Sequence, residues 1–133
     1  SPNSMPIRAD FADVLSHAGL LERSLEQINL AIGAQPVAPD DYLWIKASTL
    51  FFLGDYDAAQ AVLLRLRDGD AALRMRAACA AMAGRDAEAR DLKDRSMQIY
   101  PDFRLDTYRQ MVPAARAEQI DAYVDALRHA GFS

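Results

Sequence analysis

The sequence lacks the residues that a disulfide, a metal site or a membrane span would need. Cys79 is the only cysteine among 133 residues, so no disulfide can form within the chain. The two histidines, His17 and His129, show no spacing typical of a zinc site. No apolar run approaches the roughly 18 residues that span a bilayer, and no secretory signal is present. We therefore expect a cytoplasmic protein with no cofactor and no membrane contact.

Basic residues are neither in excess nor clustered. The chain has 15 basic and 19 acidic residues and a net charge of −4, whereas nucleic-acid binding needs a concentrated basic surface. Gly19, Gly54 and Gly84 stand singly, so no phosphate-binding loop is present. Acidic residues such as Asp55 and Asp57 follow expected turns, where helix capping explains them better than acid–base catalysis. The sequence predicts neither an enzyme nor a nucleic-acid-binding protein.

The apolar residues that are present recur at helical spacing. Hydrophobic residues make up 51% of the chain, which is enough for the core of one domain. In the central stretch 42–66, Leu43 and Ala47 belong to an apolar helix face that Gly54 ends, since glycine enters a left-handed C-cap at little cost. Asp55 can then cap the next helix. An all-α protein built from helical hairpins is predicted.

A pattern of small residues around three glycines indicates an internal repeat. Gly19, Gly54 and Gly84 lie 35 and 30 residues apart, and each is expected to separate two helices. Pro36 and Pro101 follow the first and third glycine by 17 residues and are expected to end a helix. The small residues fall seven positions before each glycine, at Ala12, Ala47 and Ala77, and five positions after it, at Ser24, Ala59 and Ala89.

These signals divide the chain into repeats and an atypical end. Residues 1–4 are interpreted as an expression scar, and residues 5–101 as three hairpins at about 7–36, 40–69 and 70–101. Residues 102–133 are predicted to form two capping helices, of the kind that a repeat array needs at its end.

Helix boundaries follow from capping residues and from the apolar stripe near the C-terminus. Asp40 is expected to cap the first helix of the second hairpin, and Asp86 is expected to cap the second helix of the third hairpin. Asp68-Gly69-Asp70 is expected to form a turn. Pro113 should end the first capping helix, and Gly131 should end the second. The second carries an apolar stripe at Ile120, Tyr123, Val124 and Leu127.

The three hairpins resemble tetratricopeptide repeats, which are helix–turn–helix units of about 34 residues. Small residues at the helix crossing, the aromatic Tyr56 after the turn and the terminal prolines carry this resemblance over residues 7–101. It implies a right-handed superhelix of about three hairpins, closed by the two capping helices.

A narrower resemblance covers almost the whole chain. Residues 39–44 before a Leu-Gly-Asp-Tyr turn, residues 100–103 and the ending 126–132 are similar to the C-terminal repeat region of bacterial multidomain proteins of the adenylate/guanylate cyclase type. The resemblance implies a non-catalytic protein–protein interaction module, with a cyclase or DNA-binding domain upstream. The alternative is a free-standing adaptor or chaperone that binds a peptide or helix. Either way the expected partner is a protein or peptide, and self-association stays open.

The resemblance also implies where a partner would bind. In this repeat class the first helix of each unit lines a concave groove, and Trp44 would form part of its floor. The alternative is that Trp44 packs against the C-terminal helices, which would then fill the groove; both interpretations stay open because tryptophan suits cores and interfaces. The predicted groove residues are Asp13 and Ser16 from the first unit, Trp44, Ser48 and Phe51 from the second, and Arg74 and Ala78 from the third.

Overall fold

The computed structural model describes residues 18–111 and 117–133, and within these ranges all regular structure is helical. The expected all-α class is confirmed. The helices are α1 (Ala18–Gly33), α2 (Asp40–Phe52), α3 (Tyr56–Leu63), α4 (Gly69–Met82), α5 (Asp86–Ile99), α6 (Leu105–Met111) and α7 (Ala117–Ala130).

The chain divides into two compact units, Ser1–Ala72 and Leu73–Ser133. In the first unit, α2 packs against both α1 and α3. In the second unit, α7 packs against α5 and α6. Helix α2 therefore has neighbours on two sides, and α7 covers the second helix of the last hairpin as the sequence predicts.

The turns at Gly54 and Gly84 have nearly the same backbone conformation. The two glycines have φ values of +86° and +81°, in the region that favours glycine. Asp55 and Arg85, which follow them, have φ, ψ of −92°, 74° and −93°, 74°. Each of these two residues donates its amide hydrogen to the carbonyl five positions earlier, over 2.9 Å in both cases, which is the Schellman pattern. Both predicted turns are confirmed.

Replacing Gly54 with valine should destabilise the protein by about 2 kcal/mol or more, because a β-branched residue is disfavoured at positive φ. Gly69→Ala is the matched control, because Gly69 is helical and lacks a positive φ. An added Cβ would meet no atom within 4 Å at either site, so a clash of the Cβ does not account for a difference between the two variants. Urea unfolding measures both variants, and equal small effects would contradict the assignment.

Gly19, which was predicted to separate the two arms of the first hairpin, is the second residue of α1. The residues before Ala18 lie outside the described part of the chain, so the turn at Gly19 stays a prediction. The predicted first arm of that hairpin, from Ile7, and its small residue Ala12 lie outside the described residues.

Two of the three predicted helix caps are wrong. Asp55 caps α3 as expected, and its Oδ1 accepts a hydrogen bond from the Ala58 amide at 3.3 Å. Helix α5 is instead capped at Arg85, without a side-chain hydrogen bond to the backbone, so Asp86 lies in the first turn. Arg85 Nε pairs with Glu88 Oε2 at 2.7 Å across that turn. Acidic residues in a first turn still interact favourably with the helix dipole.

Asp40 binds a distant loop and does not cap its own helix. It is the first residue of α2, after the cap position Pro39. Its carboxylate accepts hydrogen bonds from the Arg67 amide at 3.0 Å and the Asp68 amide at 3.1 Å. The Asp68 Oδ1 in turn accepts a hydrogen bond from the Ala71 amide at 3.1 Å, as a helix-capping residue does, and α4 begins at the next residue. The carboxylate thus holds the loop that leads from α3 to α4.

The end of α7 agrees with the sequence. Ile120, Tyr123, Val124 and Leu127 are all buried. Gly131 has a φ of +109°, and the Phe132 amide donates to the Leu127 carbonyl at 3.1 Å, which closes the helix. Pro113, which was expected to end α6, lies outside the described residues.

Candidate interaction site

Most of the predicted groove residues that the structure describes are buried. Trp44 and Phe51 are 5% and 3% exposed, and Ser48 is fully buried. All 13 residues of α2 are buried or half-buried. This burial fits the interpretation of Trp44 as a core residue, and a partner groove at these positions stays a prediction. Asp13 and Ser16 lie outside the described residues.

Aromatic packing explains why the end of α2 is buried. The Phe51 ring lies edge-to-face against Phe52 at 5.2 Å and against Tyr56 at 5.4 Å between ring centroids. These separations are typical of favourable aromatic pairs. Because Phe52 ends α2 and Tyr56 begins α3, the three rings hold the two helices together around the Gly54 turn.

Arg74, one of the predicted groove residues, is also covered by other parts of the chain. It lies in α4 and is 9% exposed, and Ala78, one turn later, is fully buried. The guanidinium carbon of Arg74 lies 3.7 Å from the ring centroid of Phe103 and 5.8 Å from that of Tyr100. These are cation–π distances. At this position the segment after α5 covers the face that a partner was expected to contact.

An aromatic cluster surrounds this contact within the second unit. Phe103 lies 5.4 Å from Tyr108 and 5.5 Å from Phe132, measured between ring centroids. Tyr108 lies 6.0 Å from Tyr123. The sequence analysis did not group these residues with Arg74, because they share no helical period with it. The only sequence signal is the density of aromatic residues at Tyr100, Phe103 and Tyr108.

The two tyrosines of the cluster are held in their neutral form. Burial raises the pKa of Tyr108 and of Tyr123 above the usual value of about 10, while the positive charge of Arg74 acts in the opposite direction. The Tyr108 hydroxyl is buried and has no hydrogen-bond partner among the described residues. A buried hydroxyl without a partner favours conformations in which water reaches it.

Raised tyrosine pKa values predict that the second unit loses stability in alkali. The folded state keeps both phenol protons at pH values where an unfolded chain loses them, so this contribution is complete below about pH 10 and declines above it. Urea unfolding measured between pH 8 and pH 11.5 should show the decline. Tyr123→Phe, which keeps the ring and removes the titrating group, should reduce the slope. Equal slopes in both proteins would contradict the prediction.

Neither a metal-binding cluster nor a membrane-spanning helix is present among the described residues. Within 18–111 and 117–133, no group of three or more His, Cys, Asp or Glu is placed to hold a metal ion. Cys79 is a buried free thiol. Among the helices that the structure describes, none has the length and apolar character required to cross a membrane.

Large apolar side chains remain exposed on both units. Leu30 in α1 is 74% exposed and Leu64, directly after α3, is 64% exposed. Met111, at the end of α6, is also exposed. Single exposed apolar residues are common on protein surfaces, so none of them alone marks a binding site.

Comparison with known proteins found no relative. No protein family, curated protein or solved structure matched this chain. Membership of the tetratricopeptide repeat family therefore stays a prediction, and the functional proposal depends on the geometry of the chain itself.

Proposed function

We propose that this chain is a non-catalytic protein–protein interaction module made of tetratricopeptide-like hairpins in a right-handed superhelix. The similarity of the α2–α3 and α4–α5 turns is the observation that carries the proposal. Gly54 and Gly84 share φ values within 5° of each other, with φ +86° and +81°. Asp55 and Arg85, which follow the two glycines, also agree in their φ and ψ angles and in the hydrogen bond that each amide donates to the carbonyl five positions earlier.

The small residues around both turns support the same interpretation. Ala47 and Ala59 are fully buried, and so is Ala77, while Ala89 is 1% exposed. They stand at the same offsets from their glycines, where two helices of a hairpin approach each other and a larger side chain would keep them apart. Two hairpins with the same turn and the same small positions are what a helical repeat requires.

A repeat architecture suggests a binding role. Stacked helical hairpins form extended surfaces, and such surfaces recognise proteins or peptides. The resemblance to the C-terminal region of cyclase-type bacterial regulators extends the proposal to a cytoplasmic signalling protein, in which this chain would act beside a catalytic or DNA-binding domain. A free-standing adaptor that binds a peptide is the second form of the same proposal.

The test uses the full chain as bait in a bacterial lysate, followed by calorimetry with each captured protein after purification. A partner that binds with saturation and a fixed stoichiometry supports the proposal. The bait Gly54→Val with Gly84→Val should lose this binding, because it disrupts both repeat turns. Gly69→Ala, a helical glycine outside those turns, is the matched control and should retain it. Partners that bind the double variant equally well would contradict an interaction through the repeat.

A further inference from the structure

The segment 101–111, called the cover segment below, lies over Arg74 within the second unit. It comprises the turn after α5 and the short helix α6. Its Phe103 ring stacks on the Arg74 guanidinium at 3.7 Å, and its Tyr108 ring lies against Tyr123 at 6.0 Å. The Leu105 amide at the start of α6 donates to the Ser133 carbonyl at 3.1 Å. The cover segment thus supplies the aromatic partner of a largely buried cation.

Few buried contacts hold the cover segment in place. Leu105 is the only buried residue of α6. Near the other end of α6, Arg109 pairs with Asp121 of α7, but these side chains are 57% and 48% exposed. Exposed ion pairs contribute little to stability. Segments with few buried apolar contacts open locally more readily than the rest of a fold.

Opening would also benefit two polar groups, the Arg74 guanidinium beneath the cover segment and the hydroxyl of Tyr108 within it. A guanidinium stays charged at any physiological pH, so Arg74 gains hydration when Phe103 leaves it. The Tyr108 hydroxyl, which has no hydrogen-bond partner among the described residues, gains one from water. Both gains offset part of the loss of aromatic contact, so separating this contact costs less than separating a purely apolar one.

We propose that the cover segment is a displaceable intramolecular ligand, and that a partner segment carrying an aromatic side chain takes the place of Phe103 on Arg74. This inference rests on the proposed function, because it names the chemistry of the partner. An aromatic face is the group that already matches the buried guanidinium, since cation–π attraction strengthens when the pair is desolvated. The free chain is then autoinhibited at this face.

The first experiment measures binding of a fluorescein-labelled peptide with the sequence of residues 100–111. The acceptor is the full chain carrying Phe103→Ala, which removes the ring that lies 3.7 Å from Arg74 and leaves the more distant Tyr100 in place. The peptide should bind this chain about tenfold more tightly than the same peptide carrying Phe103→Ala, as one cation–π contact predicts. It should bind the unaltered chain more weakly, because the intramolecular segment competes. Equal affinities of the two peptides for a folded acceptor would overturn the proposal.

A second variant keeps the test valid should Phe103→Ala unfold the chain. Arg109→Ala removes the exposed ion pair to Asp121 and leaves Phe103 and Arg74 in place. It should increase peptide affinity and hydrogen exchange at the α6 amides by about two- to fivefold, in line with a surface ion pair. Arg128→Ala, which removes the exposed Arg128–Asp125 pair within α7, is the matched control and should change neither. Equal affinities of the 100–111 peptide and its Phe103→Ala form for the Arg109→Ala chain would overturn the displaceable cover.

The outcomes separate this inference from the proposed function. A captured partner that binds Arg74→Ala as well as the unaltered chain overturns the Arg74 face and leaves the interaction function standing. Peptide binding as expected, with no partner captured by the full chain, supports the displaceable cover and contradicts the function.

Discussion

Deleting residues 114–133 is expected to unfold the second unit and to produce an aggregating protein. The deletion removes the whole of α7, which packs against α5 and α6 and buries a stripe of large side chains. Each of them contributes about 1.5–3 kcal/mol through burial, whereas a whole domain is stable by only about 5–15 kcal/mol. Loss of the stripe therefore removes most of the stability of this unit. The stripe consists of Ile120, Tyr123, Val124 and Leu127.

Thermal unfolding by circular dichroism and size-exclusion chromatography measure this effect. Arg128→Ala is the matched control, because its side chain is 60% exposed on the same helix. A surface change of this kind alters stability by only about 0.5 kcal/mol. A truncated chain that elutes as a monomer with an unchanged Tm would show that α7 is not part of the core.

Replacing Trp44 and Phe51 together with alanine is expected to unfold the first unit. Each side chain is buried, at 5% and 3% exposure, in a helix that packs against α1 and α3. Truncating a buried aromatic residue to alanine costs about 3–5 kcal/mol, so the two changes approach the whole stability of a domain. One of the two interpretations that the sequence leaves open places these aromatic residues on the floor of a groove, and in that case the same variant would stay folded and lose only partner binding.

Fluorescence and urea unfolding separate these two outcomes. Trp44 is the only tryptophan, so its emission should be blue-shifted and poorly quenched by acrylamide. Leu64→Ala with Leu30→Ala is the matched control, since both leucines are largely exposed and their loss should leave unfolding nearly unchanged. A folded double variant of Trp44 and Phe51 that loses only partner binding would restore the open-groove interpretation.

The burial of α2 changes where a partner of the proposed module is expected. Trp44, Ser48 and Phe51 of α2 are buried, so a partner that contacts these three side chains displaces part of the chain. The cover segment over Arg74 is the place where displacement has a physical rationale, since opening would hydrate both the Arg74 charge beneath it and the buried Tyr108 hydroxyl within it. A partner that displaces the cover segment binds only the open chain. Its apparent affinity therefore falls in proportion to the fraction of molecules that are open.

The sequence by itself determined the features that depend on local chemistry. The all-α class, the turns at Gly54 and Gly84 and the end of α7 at Gly131 were all predicted correctly. Each follows from helical periodicity or from the freedom of glycine at positive φ, which act over a few neighbouring residues. The turn predicted at Gly19 stays a prediction, because the residues before α1 lie outside the described part of the chain.

The tertiary structure alone decided which surfaces are covered and what the polar groups contact. Periodicity places Trp44 and Phe51 on one face of α2, but only the packing of α1 and α3 shows that α2 has no exposed residue. Asp40 could have capped α2 by itself, and the amides of Arg67 and Asp68, 27 and 28 residues away, take its carboxylate instead. Arg74 likewise meets Phe103 through folding, not through sequence spacing. These contacts join residues far apart in the chain, so no local pattern encodes them.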